Sequence, residues 1–182
     1  LATLAGLTPG VTILTGNEQM RKRPMNDLLH ALRLSGITCS SNNGYPPVRI
    51  EGGTFQGGRI DVDASISSQF VSSILLSAPY AKRPVSLHIK GKLSSLPYVD
   101  ISLHVMRSFG AAIDAIDFSL FDVSNTQHYI GHEFPIEGDA SSATYFLAAA
   151  AITKGRIVIR NLSLESLQGD MKFMDVLSEM GC

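Results

Sequence analysis

Three stretches of this 182-residue chain share one plan: an apolar strand ending in Gly or Asn, a polar loop, an amphipathic helix and a glycine that stops it. They are residues 11–36 (VTILTGNEQMRKRPMNDLLHALRLSG), 85–110 (VSLHIKGKLSSLPYVDISLHVMRSFG) and 157–181 (IVIRNLSLESLQGDMKFMDVLSEMG). The stop glycines Gly36, Gly110 and Gly181 recur at nearly equal intervals, and each follows the end of its own strand, at Gly16, Gly91 or Asn161, by nearly the same distance. A chain organised in this way folds as copies of one supersecondary unit, each relying on neighbours to cover its apolar surface.

A further helix opened by paired serines precedes each of the last two copies, Ser67-Ser68 before residues 69–81 and Ser141-Ser142 before residues 143–153; residues 1–7 read as the tail of a third. Both serine-led helices are apolar on nearly every face (FVSSILLSA and YFLAAAAI), the pattern of a helix buried inside its domain. Strands are predicted over residues 37–40, 48–51 and 59–63 after the first stop glycine and over 112–115 and 119–123 after the second, joined by turns such as Asn42-Asn43-Gly44 and Gly57-Gly58. The unit is therefore β-α-β-α-β-β, an α/β (α+β repeat) class in which units pack with helices inside and sheets outside. The polar, irregular residues 125–135 (NTQHYIGHEFP) read as a domain boundary.

With 45% hydrophobic and 17% charged residues, the chain has material for a core and none of the charge excess of disorder. Its net charge of −1 gives no electrostatic footprint for nucleic acid or an anionic membrane, so any anion site must be local. Two distant cysteines, Cys39 and Cys182, suggest neither a disulfide framework nor a zinc site. The longest apolar run, residues 145–152, is far shorter than the roughly 18 to 20 residues that span a bilayer. The expected setting is cytoplasmic or organellar. Both ends of the sequence, Leu1 and Met180-Gly181-Cys182, read as cut.

Residues able to carry chemistry gather in the loops that lead into helices. In GNEQMRKRP, Arg21, Lys22 and Arg23 stand before Pro24, a residue suited to a helix's first turn. A helix N-terminus beside a guanidinium is a site for phosphate or carboxylate; a solvated basic cluster is the plainer reading, and Arg23 is the member singled out. Ser67, Ser68 and Gln69 bring two hydroxyls, an amide and free helix N–H groups together, which suits phosphate but also an ordinary N-cap. Asp139, ahead of Ser141-Ser142, reads first as a cap, and Ser95, Tyr98 and Asp100 in SSLPYVD either bind a polyol or cap a helix. His30 and His104, like Arg33 and Arg107, are separated by the same interval as Gly36 and Gly110, and they read as repeated surface positions. His128 and His132 lack the helix that zinc ligation at that spacing needs, so no metal is expected. The glycines of EGGTFQGG precede a strand and read as a hairpin turn.

Taken together and in order, LTGNEQMRKRPM, VDASISSQFVSSILLSAP, KGKLSSLPYVDISLHVMRSFG, IEGDASSATYFLAAAAI and SLQGDMKFMDVLSEMG resemble the EPSP synthase (3-phosphoshikimate 1-carboxyvinyltransferase) family over essentially the whole chain. The resemblance implies a two-lobed fold with three β-α-β-α-β-β units in each lobe. Residues 1–136 would be most of the first, phosphoshikimate-binding lobe, and residues 137–182 the beginning of the second. It implies transfer of the enolpyruvyl group of phosphoenolpyruvate to the 5-hydroxyl of shikimate 3-phosphate, by addition to a protonated double bond and elimination of phosphate, with no metal or organic cofactor. Residue by residue, Arg23 matches the family arginine that holds phosphoenolpyruvate. Ser67 and Ser68 match the pair that binds the phosphate of shikimate 3-phosphate, Gln69 a glutamine between the two substrates, and Ser95 a further phosphoshikimate contact, with Tyr98 in the same loop. Asp139 matches an aspartate near the lobe junction, an accessory position of unassigned role. The family's N-terminal lysine, serine and arginine, its Gly-rich loop and its catalytic Asp and Glu have no counterpart in residues 1–182, so no catalytic residue is assigned and the chain alone is expected not to turn over. The partners implied are the two small-molecule substrates, for a monomer or for part of a larger multifunctional chain.

Two rival readings differ in single features. The enolpyruvyltransferases acting on UDP-N-acetylglucosamine share the Arg-Pro step but carry a reactive cysteine ahead of the arginine, at the place where this chain has Glu18. A non-catalytic repeat scaffold has no reason to recognise shikimate 3-phosphate.

Overall fold

A computed structural model describes all of residues 1–182, and its internal packing divides the chain into two units, Leu1–Gly131 and His132–Cys182. The first unit holds two sheets. In one, β1 (Gly10–Leu14), β2 (Thr38–Asn42) and β3 (Tyr45–Gly52) run antiparallel in the order β1-β3-β2. In the other, β4 (Gly58–Asp63), β5 (Val85–Lys90), β6 (Ile113–Ile116) and β7 (Leu120–Val123) lie in the order β4-β5-β7-β6, with β4 parallel to β5 and the remaining pairs antiparallel. The order β1-β3-β2 thus repeats as β5-β7-β6. Five helices accompany the sheets: α1 (Ala2–Leu7), α2 (Glu18–Arg21), α3 (Asn26–Leu34), α4 (Gln69–Ser77) and α5 (Leu96–Ser108).

Period-two alternation turns Val48 and Ile50, Ile60 and Val62, Val85 and Leu87, and Phe121 and Val123 inward. They meet Leu29 and Leu32 of α3, Ile74 and Leu75 of α4, and Leu103 and Met106 of α5 in one continuous core. Each such side chain contributes about 1.5–3 kcal/mol on burial against about 1 kcal/mol for a typical hydrogen bond, so the apolar pattern decides which faces meet. α4 packs against both α1 and α5, while α1 lies on β3 and α3 on β2 and β4.

The three stop glycines close their helices with one hydrogen-bond pattern. Ile37 N–H donates to Leu32 and Gly36 N–H to Arg33; Ala111 donates to Met106 and Gly110 to Arg107; Cys182 donates to Leu177 and Gly181 to Ser178. The glycines take φ of +87°, +86° and +83°, the left-handed turn this double bond requires. At Asn43 (φ +51°) and Gly44 (φ +82°) a two-residue turn joins β2 to β3, as predicted.

Other expectations need correction. Gly57-Gly58 is no hairpin turn, because the chain leaves β3 in one sheet and enters β4 in the other, guided by Gln56 N–H to Ser35 and Gly58 N–H to Pro84. The helix expected over residues 69–81 is α-helical only to Ser77; Pro79 has no N–H to continue the ladder, and Ala78–Tyr80 tighten into a 3₁₀ turn.

The second unit contains α6 (Ala140–Thr153) and α7 (Lys172–Glu179). The strand expected after residue 157 forms no ladder, because only single bonds reach this region, such as Asn161 Nδ2 to the Ile136 carbonyl at 2.9 Å. α6 is not enclosed either: Ala140 and Ala143 are buried, but Tyr145 and Ile152 are 78% and 82% exposed, since no element of this unit covers those faces. Gln168 ties the unit together, accepting from Ala140 N–H and donating to the Gly138 carbonyl, each at 2.8 Å. No helix of the chain is long and apolar enough to cross a membrane.

Candidate functional site

The parallel pairing of β4 and β5 sends two connections out from neighbouring carboxyl ends, the place where α/β sheets form crevices. One connection carries Ser67 and Ser68 into α4, the other Ser95 into α5. They are stitched together by Ala64 N–H to the Lys90 carbonyl (3.4 Å) and Ser94 N–H to the Ala64 carbonyl (3.1 Å). Gly91 (φ +73°) is packed so close that a Cβ would sit 2.4 Å from Ser65 Oγ. Two helix N-termini, with their positive dipole ends, therefore open at one edge.

Within this edge Gln69 N–H donates to Ser67 Oγ at 3.3 Å, while Ser68 is the N-cap, 4% exposed and without a side-chain bond to the helix. Ser95 caps α5 in a left-handed conformation (φ +53°, ψ +59°), uncommon for serine, and its carbonyl accepts from Tyr98 N–H at 3.2 Å. The Tyr98 side chain is exposed. Asp63, at the end of β4, has its carboxyl held below the usual range by hydrogen bonds from Ser65.

A cleft of about 470 Å³ opens where the loop after β1 meets α4. Thr15, Arg23 and Pro24 from the first copy and Ser67, Gln69 and Ser73 from the second line it, and Leu14, Met25, Leu28 and Phe70 add apolar wall. Of the residues singled out from sequence, Arg23, Ser67 and Gln69 come together here. Ser68, Ser95 and Tyr98 are not in its lining, and Asp139 belongs to the second unit.

The basic loop differs from its expected form. Asn17 Oδ1 accepts from Met20 N–H at 2.9 Å and nucleates α2, so Arg21 and Lys22 end one short helix while still standing ahead of α3. Pro24 lies ahead of Met25, the N-cap of α3, and not in that helix's first turn. Arg49 pairs with Glu51, and Arg59 and Lys90 pair with Asp61, whereas no carboxylate neutralises Arg21, Lys22 or Arg23. At Asp61 burial disfavours charge, but Arg59 and Lys90 outweigh it and hold the carboxyl below its ordinary value.

Asp139 is the N-cap of α6, accepting from Ser142 Oγ at 2.5 Å and Ser141 N–H at 3.0 Å, and these bonds, the Ser142 hydroxyl first, keep its carboxyl low. Sequence reading missed Thr15, Ser73 and the apolar wall. Ser73 carried a signal, a serine inside an otherwise apolar helix; Leu14, Leu28 and Phe70 are indistinguishable from core by residue type.

The pattern describing EPSP synthase (3-phosphoshikimate 1-carboxyvinyltransferase) matches residues 1–182. The 3-phosphoshikimate 1-carboxyvinyltransferase of Serratia proteamaculans is 44% identical over 184 aligned positions, covering 100% of this chain and 43% of the relative. That of Klebsiella pneumoniae is 45% identical over 172 positions, covering 93% of the chain and 40% of the relative. This chain thus spans well under half the length of the curated relatives it matches. Among solved structures, two of EPSP synthase from Acinetobacter baumannii superpose on 99% of the chain, with TM-scores of 0.76 and 0.77 at 24% and 25% identity, covering 39% and 40% of those proteins. The repeat, the paired sheets and the family pattern over every residue agree: this chain belongs to the EPSP synthase family.

Proposed function

We propose that residues 1–182 supply the substrate-binding part of a 3-phosphoshikimate 1-carboxyvinyltransferase, which joins the enolpyruvyl group of phosphoenolpyruvate to the 5-oxygen of shikimate 3-phosphate and releases phosphate. Residues 1–136 belong to the phosphoshikimate-binding lobe and residues 137–182 begin the second lobe. The enzyme works in the cytoplasm on its two small-molecule substrates, as a monomer or as part of a larger multifunctional chain.

The observation that carries this reading is the cleft between the loop after β1 and α4, whose lining includes the unneutralised Arg23 together with Ser67 and Gln69. Arg23 offers a planar guanidinium to the carboxylate or phosphate of phosphoenolpyruvate. Ser67 and Ser68, at the α4 N-terminus, hold the phosphate of shikimate 3-phosphate; Gln69 bridges the two substrates, and Ser95 and Tyr98 complete the phosphoshikimate contacts. Asp139 serves as an accessory at most, through the geometry of α6. These residues bind and orient. No acid or base for the double bond is assigned among them, so the chain by itself should not turn over.

Calorimetric titration of shikimate 3-phosphate into the chain, beside a Ser67→Ala/Ser68→Ala variant of equal stability, tests the reading. Binding that the variant loses supports it. A protein that takes up no shikimate 3-phosphate, as this chain and at full length, would overturn it.

A further inference from the structure

A serine within a packed helix competes with the backbone for hydrogen bonds, so its presence there calls for a cause. Counted back from the stop glycines, position 102 corresponds to Leu28 in the first copy and Phe173 in the third; counted from the paired serines, position 72 corresponds to Phe146 in the third. The second copy places two hydroxyls at these otherwise apolar positions, Ser72 on α4 and Ser102 on α5. Both are half-buried, and their oxygens lie 2.7 Å apart.

Ser102 Oγ also lies 2.8 Å from the Tyr98 carbonyl oxygen. The Ser102 hydroxyl is the donor to both, its one proton shared between Ser72 Oγ and the Tyr98 carbonyl. Ser72 N–H in turn donates to the Ser68 carbonyl at 3.2 Å. A continuous path, Ser68 to Ser72 to Ser102 to Tyr98, therefore joins the paired-serine turn to the loop that opens α5. That loop needs holding, because a left-handed serine such as Ser95 persists only where its surroundings fix it.

We infer that Ser102 is a positioning residue for phosphoshikimate recognition: through Ser72 and the Tyr98 carbonyl it sets the separation between the Ser67–Gln69 turn and the Ser95–Tyr98 loop, so that both engage one ligand. The inference rests on the function proposed above. Ser102 touches no substrate itself.

The test is shikimate 3-phosphate calorimetry and two-substrate steady-state kinetics on the full-length protein, with Ser102→Ala, Ser72→Ala, the double variant and Ser102→Thr. Ser102→Ala is expected to weaken shikimate 3-phosphate on the order of three- to tenfold in Kd and KM, leaving the KM for phosphoenolpyruvate and the melting temperature unchanged. The double variant should be no worse than the weaker single one, and Ser102→Thr, which keeps the hydroxyl, should restore affinity. Unchanged shikimate 3-phosphate affinity in Ser102→Ala overturns the inference and leaves the proposed function standing. So does loss of both substrates with a lowered melting temperature that Ser102→Thr fails to rescue, the mark of a purely structural role. No affinity in the unsubstituted protein overturns the proposed function, and this inference with it.

Discussion

Arg33, exposed on α3, donates from Nε to the carbonyl of Cys39 at 3.2 Å; at the same place in the second copy, Arg107 donates from Nη2 to the carbonyl of Ile113 at 3.4 Å. What reads in sequence as a repeated surface position is a repeated clamp between a helix and the strand that follows its stop glycine. Each clamp meets a carbonyl at the start of the strand, where ladder pairing is just beginning. Replacing either arginine by alanine is expected to lower the free energy of unfolding by about 0.5–1.5 kcal/mol in urea titrations. Arg33→Ala has a second consequence. Burial already pushes the Cys39 thiol up and the Arg33 charge opposes that push, so Arg33→Ala, unlike Arg107→Ala, should shift the pH dependence of Cys39 alkylation further upward.

The stop glycines share a conformation but not an environment, which predicts an order of damage. A Cβ on Gly36 would meet Gln56 Cγ at 2.7 Å and the Thr54 carbonyl oxygen at 3.1 Å; on Gly110 it would meet Ile130 Cδ1 at 3.2 Å; on Gly181 it would meet nothing within 4 Å. All three substitutions to alanine carry the left-handed penalty of roughly 1–2 kcal/mol. Gly36→Ala should cost most, since a backbone atom cannot move aside as a side chain can, then Gly110→Ala, then Gly181→Ala. Equal losses in denaturant titrations would show that backbone conformation alone matters.

Local rules explain which parts of this fold are legible in the sequence. A glycine at a helix end, an Asn-Gly turn and a serine-led helix act through neighbours in the chain, so Gly36, Gly110, Gly44 and α4 stand where the pattern places them. Pairing is not local. Residues 157–160 are as apolar as β5, yet form no ladder, because no strand pairs continuously with them; the backbone bond at their end is the single one from Gly138 N–H to the Asn161 carbonyl. The same gap leaves Tyr145 and Ile152 exposed on a helix whose composition reads as buried. At the site, Arg23 and Ser67 are visible as loop residues ahead of helices, and the cleft that unites them depends on α4 packing beside the first copy. Ser72 and Ser102 become visible only once their counterparts in the other copies are set beside them.

Tyr129 gives a pH signature for the segment that follows β7. Its hydroxyl donates to the Leu76 carbonyl at 3.0 Å, and its N–H donates to Tyr80 Oη at 3.2 Å. Burial, and then the neighbouring Tyr80, push its pKa from 10.0 up to about 12. The folded state thus holds this proton more tightly than the unfolded state. The stabilisation is complete below pH 10 and is lost as pH rises toward about 12. Tyr129→Phe should flatten this part of the stability profile and remove the latest-rising component of tyrosinate absorbance. A profile unchanged by Tyr129→Phe would place the alkaline loss elsewhere.

Arg23 separates charge from shape at the cleft. Lysine in its place keeps a positive charge but gives up the planar fork that meets a carboxylate or phosphate through two parallel bonds. Because Arg23 is exposed and in no ion pair, Arg23→Lys should leave the melting temperature unchanged. Charge-assisted bonds are worth about 1.5–3 kcal/mol, so losing one should weaken phosphoenolpyruvate on the order of ten- to a hundredfold, measured by titration in the presence of shikimate 3-phosphate. Affinity for shikimate 3-phosphate, assigned to the serine turn and the Ser95–Tyr98 loop, should stay the same. Arg23→Gln, with neither charge nor fork, should be worse than Arg23→Lys. The reverse pattern, shikimate 3-phosphate weakened and phosphoenolpyruvate untouched, would move Arg23 to the other substrate.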